Sequence, residues 1–174
     1  MGRNVNIVEG LDNKKIVVIN DIIFKGRQNI EWSEVEKYLK QFVGKSQNIF
    51  ETNDKIYIGT DFPDEYTGSN YTKKLKGALA KAKANAVQGL PELIEIASQK
   101  RFRENLKEKH NSDAEYGWYR FDTKFALPVY SENQEPNRFN VFNAVLLIRH
   151  ARNGKLYLYD LLNIKKETGK PLEQ

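Results

Sequence analysis

The sequence predicts an α+β fold, in which an antiparallel β-sheet (a C-terminal three-stranded meander plus an N-terminal strand and hairpin) packs with α-helices. Three observations lead there. From residue 116 onward apolar residues alternate with period two, residues 31–44 and 71–88 carry them at helical spacing, and residues 15–24 are an almost unbroken β-branched run. A chain of 174 residues can bury one core. Residues 1–65 (strand, helix and hairpin) and 66–174 (helical region plus sheet) are therefore expected to form one compact unit.

In chain order, "KIVVINDIIF" reads as a buried strand. In "NIEWSEVEKYLKQFVGK", Trp32, Val35, Leu39 and Phe42 share a helical face, with Ser33 as cap and Gly44 as stop. "QNIFETNDKIYIGTDF" reads as a hairpin turning at Asn53 and Asp54, and "PDEYTGSN" as a polar loop. The next helix places Leu75, Leu79, Ala82 and Ala86 on one face and Lys73, Lys74, Lys76, Lys81 and Lys83 on the solvated arc. Gly89 and Pro91 punctuate it, and "RFRENLKEKH" extends the helical region to His110. Three strands follow, "YGWYRFDTKFALPVY", "RFNVFNAVLLIRH" and "KLYLYDLLNIKKE", with Asn153-Gly154 closing the last two as a two-residue turn.

Composition narrows the chemistry. The absence of cysteine removes disulfides, thiolate metal sites and cysteine nucleophiles. Asp61, Asp64 and Glu65 lie close together in "TDFPDE" without a further ligand at metal spacing, so neither metal nor other cofactor is expected. Phosphate-binding glycine motifs, GxSxG and HExxH are missing too. No stretch reaches the ~20 apolar residues of a membrane span, so no membrane partner and a cytoplasmic location are expected. The net charge of +5 favours an acidic partner such as nucleic acid.

A two-residue turn would set His150 opposite Tyr157, Ile148 opposite Tyr159 and Leu146 opposite Leu161. Matching the strand 116–130 to this pair places Arg120 and Lys124 on the same side as His150, Tyr157, Tyr159 and Lys165. That face suits RNA, with cations for phosphates and tyrosines as stacking planes. It also holds the groups for metal-free cleavage through a ribose 2′-hydroxyl. Because Leu146, Ile148 and Leu161 share it, the opposing reading covers the face with the 71–88 helix and leaves His150 as a rim histidine.

The layout of "RFRENLKEKH", "FALPVY", "NVFNAVLLIRH" and "LYLYDLLNIKKE", over residues 70–168, resembles the barnase, EndoU, colicin and RelE-like nuclease domains and related accessory domains of phage and mobile-element polyvalent proteins. The resemblance implies helices on an antiparallel sheet and a metal-independent ribonuclease acting on host RNA in a bacterial cytoplasm. It implies His110 as general acid or base, Arg120 and Lys124 as phosphate ligands, and Lys165 and Thr168 as phosphate contacts. His150 joins the catalytic set through the register alone. The alternative is a non-catalytic accessory or anti-defence module that binds RNA or a host or defence protein. A third possibility is an assembly domain presenting aromatics such as Trp32 and Tyr66.

Overall fold

The computed structural model describes residues 3–10, 12–26, 29–103, 116–130 and 136–167. Its strands are β1 (Val5–Glu9), β2 (Lys15–Ile19), β3 (Ser46–Asn48), β4 (Lys55–Tyr57), β5 (Ser98–Arg103), β6 (Trp118–Tyr130), β7 (Pro136–His150) and β8 (Leu156–Lys166). The helices are α1 (Trp32–Leu39), α2 (Phe62–Gly68), α3 (Asn70–Lys74), α4 (Gly77–Ala86) and α5 (Leu90–Glu95). The strands form one curled sheet in the order β1-β2-β6-β7-β8-β4-β3, with β5 pairing β6 beside β2.

The expected antiparallel sheet is thus corrected to a mixed one. The β6-β7-β8 meander is antiparallel, but β2 pairs parallel with β6 (Val17 to Phe125) and β4 parallel with β8 (Tyr57 to Tyr157). Both parallel contacts join segments far apart in sequence, which no turn signal can announce. The β3-β4 hairpin forms as expected, with Asn53 at φ 61°. β1 is an addition, pairing Val5–Glu9 with β2.

The inner face of the sheet holds the core. Phe121 and Phe125 of β6, Phe142, Ala144, Leu146 and Ile148 of β7, and Leu158, Leu161 and Ile164 of β8 pack there. Val35 and Leu39 of α1, Leu93 and Ile94 of α5 and the alanines of α4 meet them. α4 runs through the middle and its second half is buried on several sides, its alanines allowing close approach, so of the expected solvated arc Lys83 is buried and Lys81 half-buried, while Lys73, Lys74 and Lys76 are exposed. A smaller cluster of Ile16, Val18, Ala126, Phe139 and Val141 lies on the other face.

Several local expectations change. "PDEYTGSN" is largely α2, with Pro63 in its first turn. The 71–88 helix is split, because Leu75 is extended and Gly77 adopts φ +60°. Residues 98–103 are strand β5 rather than helix, Gln99 taking φ 59° at the point where the register shifts. Glu31, not Ser33, precedes α1, and it makes no side-chain cap bond.

Candidate nucleic-acid interface

The outer face gathers aromatic and guanidinium side chains because its residues have the opposite parity from the core set on each strand. Tyr57 on β4 pairs with Tyr157 on β8, Tyr157 with Arg149 on β7, Arg149 with Trp118 on β6, and Trp118 with Arg103 on β5. These five residues form one lateral row, about 19 Å long at the usual strand spacing. The rings of Tyr57 and Tyr157 lie 5.9 Å apart, and the Arg149 guanidinium stands 4.4 Å from the centre of Tyr157. Lys155 and Lys55 approach Tyr57 at 4.8 and 5.5 Å. Trp118 packs edge-on to Tyr159 at 4.9 Å. A groove of about 650 Å³ opens at one end of the row, lined by Tyr57, Tyr157, Arg149, Arg152, Asn153 and Asp61.

Next to this row Arg120 pairs across with Arg101, and Arg103 lies diagonal to it. Burial, and then the charges of Arg103 and Arg101, hold the Arg120 pKa below its ordinary value. Arg101 has a carboxylate, Asp122 at 2.9 Å. Neither Arg103 nor Arg120 has one among the described residues, and the buried Nε of Arg120 has no hydrogen-bond partner there.

The residues proposed from sequence divide into groups. Arg120, Tyr157 and Tyr159 belong to the outer face just described. Lys124 and Lys165 lie further along it, lining a cleft of about 750 Å³ at the gap where β2 and β5 part along the edge of β6. Lys124 is already neutralised: Glu167 approaches at 2.6 Å and Asp12 at 3.4 Å. Burial opposes its charge, but these two carboxylates outweigh that and raise its pKa. His110 and Thr168 lie outside the described residues.

His150 is on the opposite side, which corrects the expected register. Ala151 donates to Lys155 O at 3.0 Å and Gly154 to Ala151 O at 2.9 Å, with Gly154 at φ +85°. The loop is therefore three residues, 152–154, ending in a left-handed glycine, and it pairs His150 with Leu156 instead of Tyr157. A shift between Leu147 and Ile148 leaves Tyr159 as the extra residue, after which Leu146 meets Leu161 as expected. His150 is a rim histidine on the core side, its ring 5.1 Å from Tyr116 and 5.9 Å from Tyr119. It does not converge with Arg120 and Lys124.

Sequence reasoning passed over a buried polar centre. Lys83 of α4, placed in advance on a solvated arc, is fully buried and donates to Asp160 Oδ1 at 2.5 Å and Thr72 Oγ1 at 2.6 Å. Its ammonium lies 4.5 Å from the ring centre of Tyr66, whose hydroxyl donates to Lys83 O at 2.6 Å. Burial lowers the Lys83 pKa and raises that of Asp160, each opposed by the other's charge. Tyr66 is enclosed, which removes it as an assembly aromatic. Glu65, expected in a solvated loop, is half-buried in α2. Burial raises its pKa, while a hydrogen bond donated by Tyr159 lowers it.

Arg101, Arg103, Trp118, Arg149 and Tyr57 share this outer face and were not among the site residues proposed from sequence. The alternation Arg-Phe-Arg at 101–103 and Trp-Tyr-Arg at 118–120 is the signal that reveals them. No group of three or more histidine or carboxylate residues able to hold a metal ion occurs among the described residues. None of their helices is long and apolar enough to cross a membrane. No known family model, curated protein or solved structure matches the chain.

Proposed function

We propose that the protein binds an unpaired phosphodiester strand, RNA first among them, on the outer face of its sheet. The observation that carries this reading is the lateral row Tyr57, Tyr157, Arg149, Trp118 and Arg103, in which three aromatic rings and two cations lie side by side across five strands. Rings offer stacking planes to unpaired bases whatever their identity, and guanidinium groups hold the intervening phosphates. A duplex keeps its base faces stacked internally and cannot use the rings.

Binding is favoured over the metal-independent ribonuclease expected from the resemblance. Metal-free cleavage needs a general base and acid within hydrogen-bond reach of the reacting oxygens. Among the described residues no imidazole stands beside Arg120, and the Lys124 ammonium is held by two carboxylates.

The test is fluorescence anisotropy with a labelled oligouridylate, its deoxy counterpart and a duplex of equal length. Single strands are expected to bind well and the duplex weakly, with Tyr157→Ala and Trp118→Ala each losing about 1–3 kcal/mol. Equal affinity for duplex and single strand, or affinities unmoved by both substitutions, overturns the reading. RNA cleaved in the presence of EDTA would return the ribonuclease expectation, and binding only to an acidic protein would favour the accessory-module alternative.

A further inference from the structure

We infer that Arg101, Arg103 and Arg120 form a subsite for a terminal phosphate monoester, so that the bound strand is held by a phosphorylated end. This deepens the single-strand reading and rests on it.

The argument begins with charge balance. Three guanidinium groups crowd one edge of the sheet, on neighbouring strands, with Arg101 directly opposite Arg120. Asp122 serves Arg101 at 2.9 Å, while Arg103 and Arg120 have no carboxylate among the described residues. Two uncompensated cations side by side repel, and the arrangement becomes favourable when an anion sits between them. An internal phosphodiester carries a single negative charge. A terminal phosphomonoester carries about −1.5 to −2 near pH 7 and offers three acceptor oxygens, so it matches two free cations.

Hydrogen bonding points the same way. The Arg120 Nε is buried and unpartnered among the described residues, although a buried N–H left unsatisfied is costly and uncommon in folded proteins. Because that Nε has almost no accessible surface, a phosphate oxygen accepts from it once the Arg120 side chain turns outward, with further oxygens left for Arg103. Guanidinium groups suit this task because their planar fork presents several donors at fixed angles.

Position then explains why the phosphate is terminal. The aromatic row runs from Tyr57 through Tyr157 to Trp118 and ends at Arg103 on β5, which pairs with β6 on the side away from β7. Bases stacked along the row bring the end of the strand to the arginines.

The experiment compares oligouridylates of one length carrying a 5′-phosphate, a 3′-phosphate or no phosphate. One of the two phosphorylated forms is expected to bind about tenfold tighter than the unphosphorylated one, or more. The identity of that form tells the 5′ from the 3′ end. The advantage is expected to shrink as pH falls through about 6, where the monoester loses its second charge. Arg103→Ala, at an exposed position, and Arg120→Gln, checked for an unchanged melting temperature, are expected to abolish the advantage, because they weaken the phosphorylated strand about tenfold more than the unphosphorylated one, which loses only a phosphodiester contact.

Equal binding of all three oligonucleotides by the unaltered protein overturns the terminal subsite, as does an advantage that survives both substitutions. Neither result touches the single-strand reading, which fails instead if unphosphorylated strands ignore Tyr157 and Trp118.

Discussion

The pair Lys83 and Asp160 shows how one residue can be misread and still govern the molecule. On an alanine-rich helix a lysine between alanines looks like a surface residue, since an amphipathic pattern assumes one wet face. α4 has hardly such a face at this position, so the ammonium is enclosed with Asp160, Thr72 and two tyrosine rings. Removing one member of such a pair strands the other charge in a dry site. Lys83→Met is therefore expected to destabilise the fold by about 3–5 kcal/mol in urea unfolding, and Lys83→Met with Asp160→Leu by much less. A double variant as unstable as the single one would mean that the pair contributes through packing and not charge. Glu65 gives a pH readout nearby. Its folded pKa is raised, so the stability it contributes is present at acid pH and is lost as pH rises through that elevated value. Glu65→Gln is expected to flatten the fall in stability just above pH 4.5, followed by thermal unfolding across that range.

Two glycines that both adopt left-handed backbone separate turn chemistry from packing among the elements. Gly154, at φ +85°, closes the β7-β8 hairpin with open space around it. An alanine there meets only the backbone penalty, about 1–2 kcal/mol. Gly117, at φ +101°, leads into β6, and a Cβ there would lie 2.7 Å from the Phe102 ring and 2.8 Å from Arg103 O. Gly117→Ala is thus expected to destabilise more than Gly154→Ala and also to disturb β5 and its arginines, measured as melting temperature and strand affinity together. Equal effects would indicate that β5 shifts to make room at little cost. The same contrast explains what could be read in advance. β6, β7 and β8 were legible because each is long and alternating, and Asn153-Gly154 announced a reversal. Its length was not legible, since an Asn-Gly pair can fill a two-residue loop or end a three-residue one. β7 compounded this by being apolar on both faces: Val141 joins the outer cluster while Phe142 and Leu146 join the core. The side of His150 followed from that ambiguity, whereas Arg120, Tyr157 and Tyr159 kept a common face. Pro63 did carry a helix-start signal that the polar composition of "PDEYTGSN" masked.

Across the whole molecule, what assembles the outer-face row is long-range pairing that local patterns do not encode. β4 brings Tyr57 beside Tyr157 from a hundred residues away, and β5 brings Arg101 and Arg103 beside β6. A net charge of +5 alone would attract any polyanion without preference for a face. The two cases differ in their response to salt. Each phosphate neutralised on a single strand releases counterions and contributes about −0.7 to the slope of log K against log salt. Contact through Arg103, Arg120 and Lys155, with Arg149 held 3.5 Å from Asp61, predicts a slope of about −2 on that scale. Arg103→Ala should reduce its magnitude by about 0.7, because one phosphate contact is gone. Lys73→Ala, on the exposed side of α3, should leave it unchanged, although it removes the same charge. Tyr157→Ala should weaken binding at every salt concentration without altering the slope, since stacking releases no ions. If Lys73→Ala and Arg103→Ala lowered the slope equally, the attraction would be diffuse, and the outer face would lose its claim to be where the strand lies.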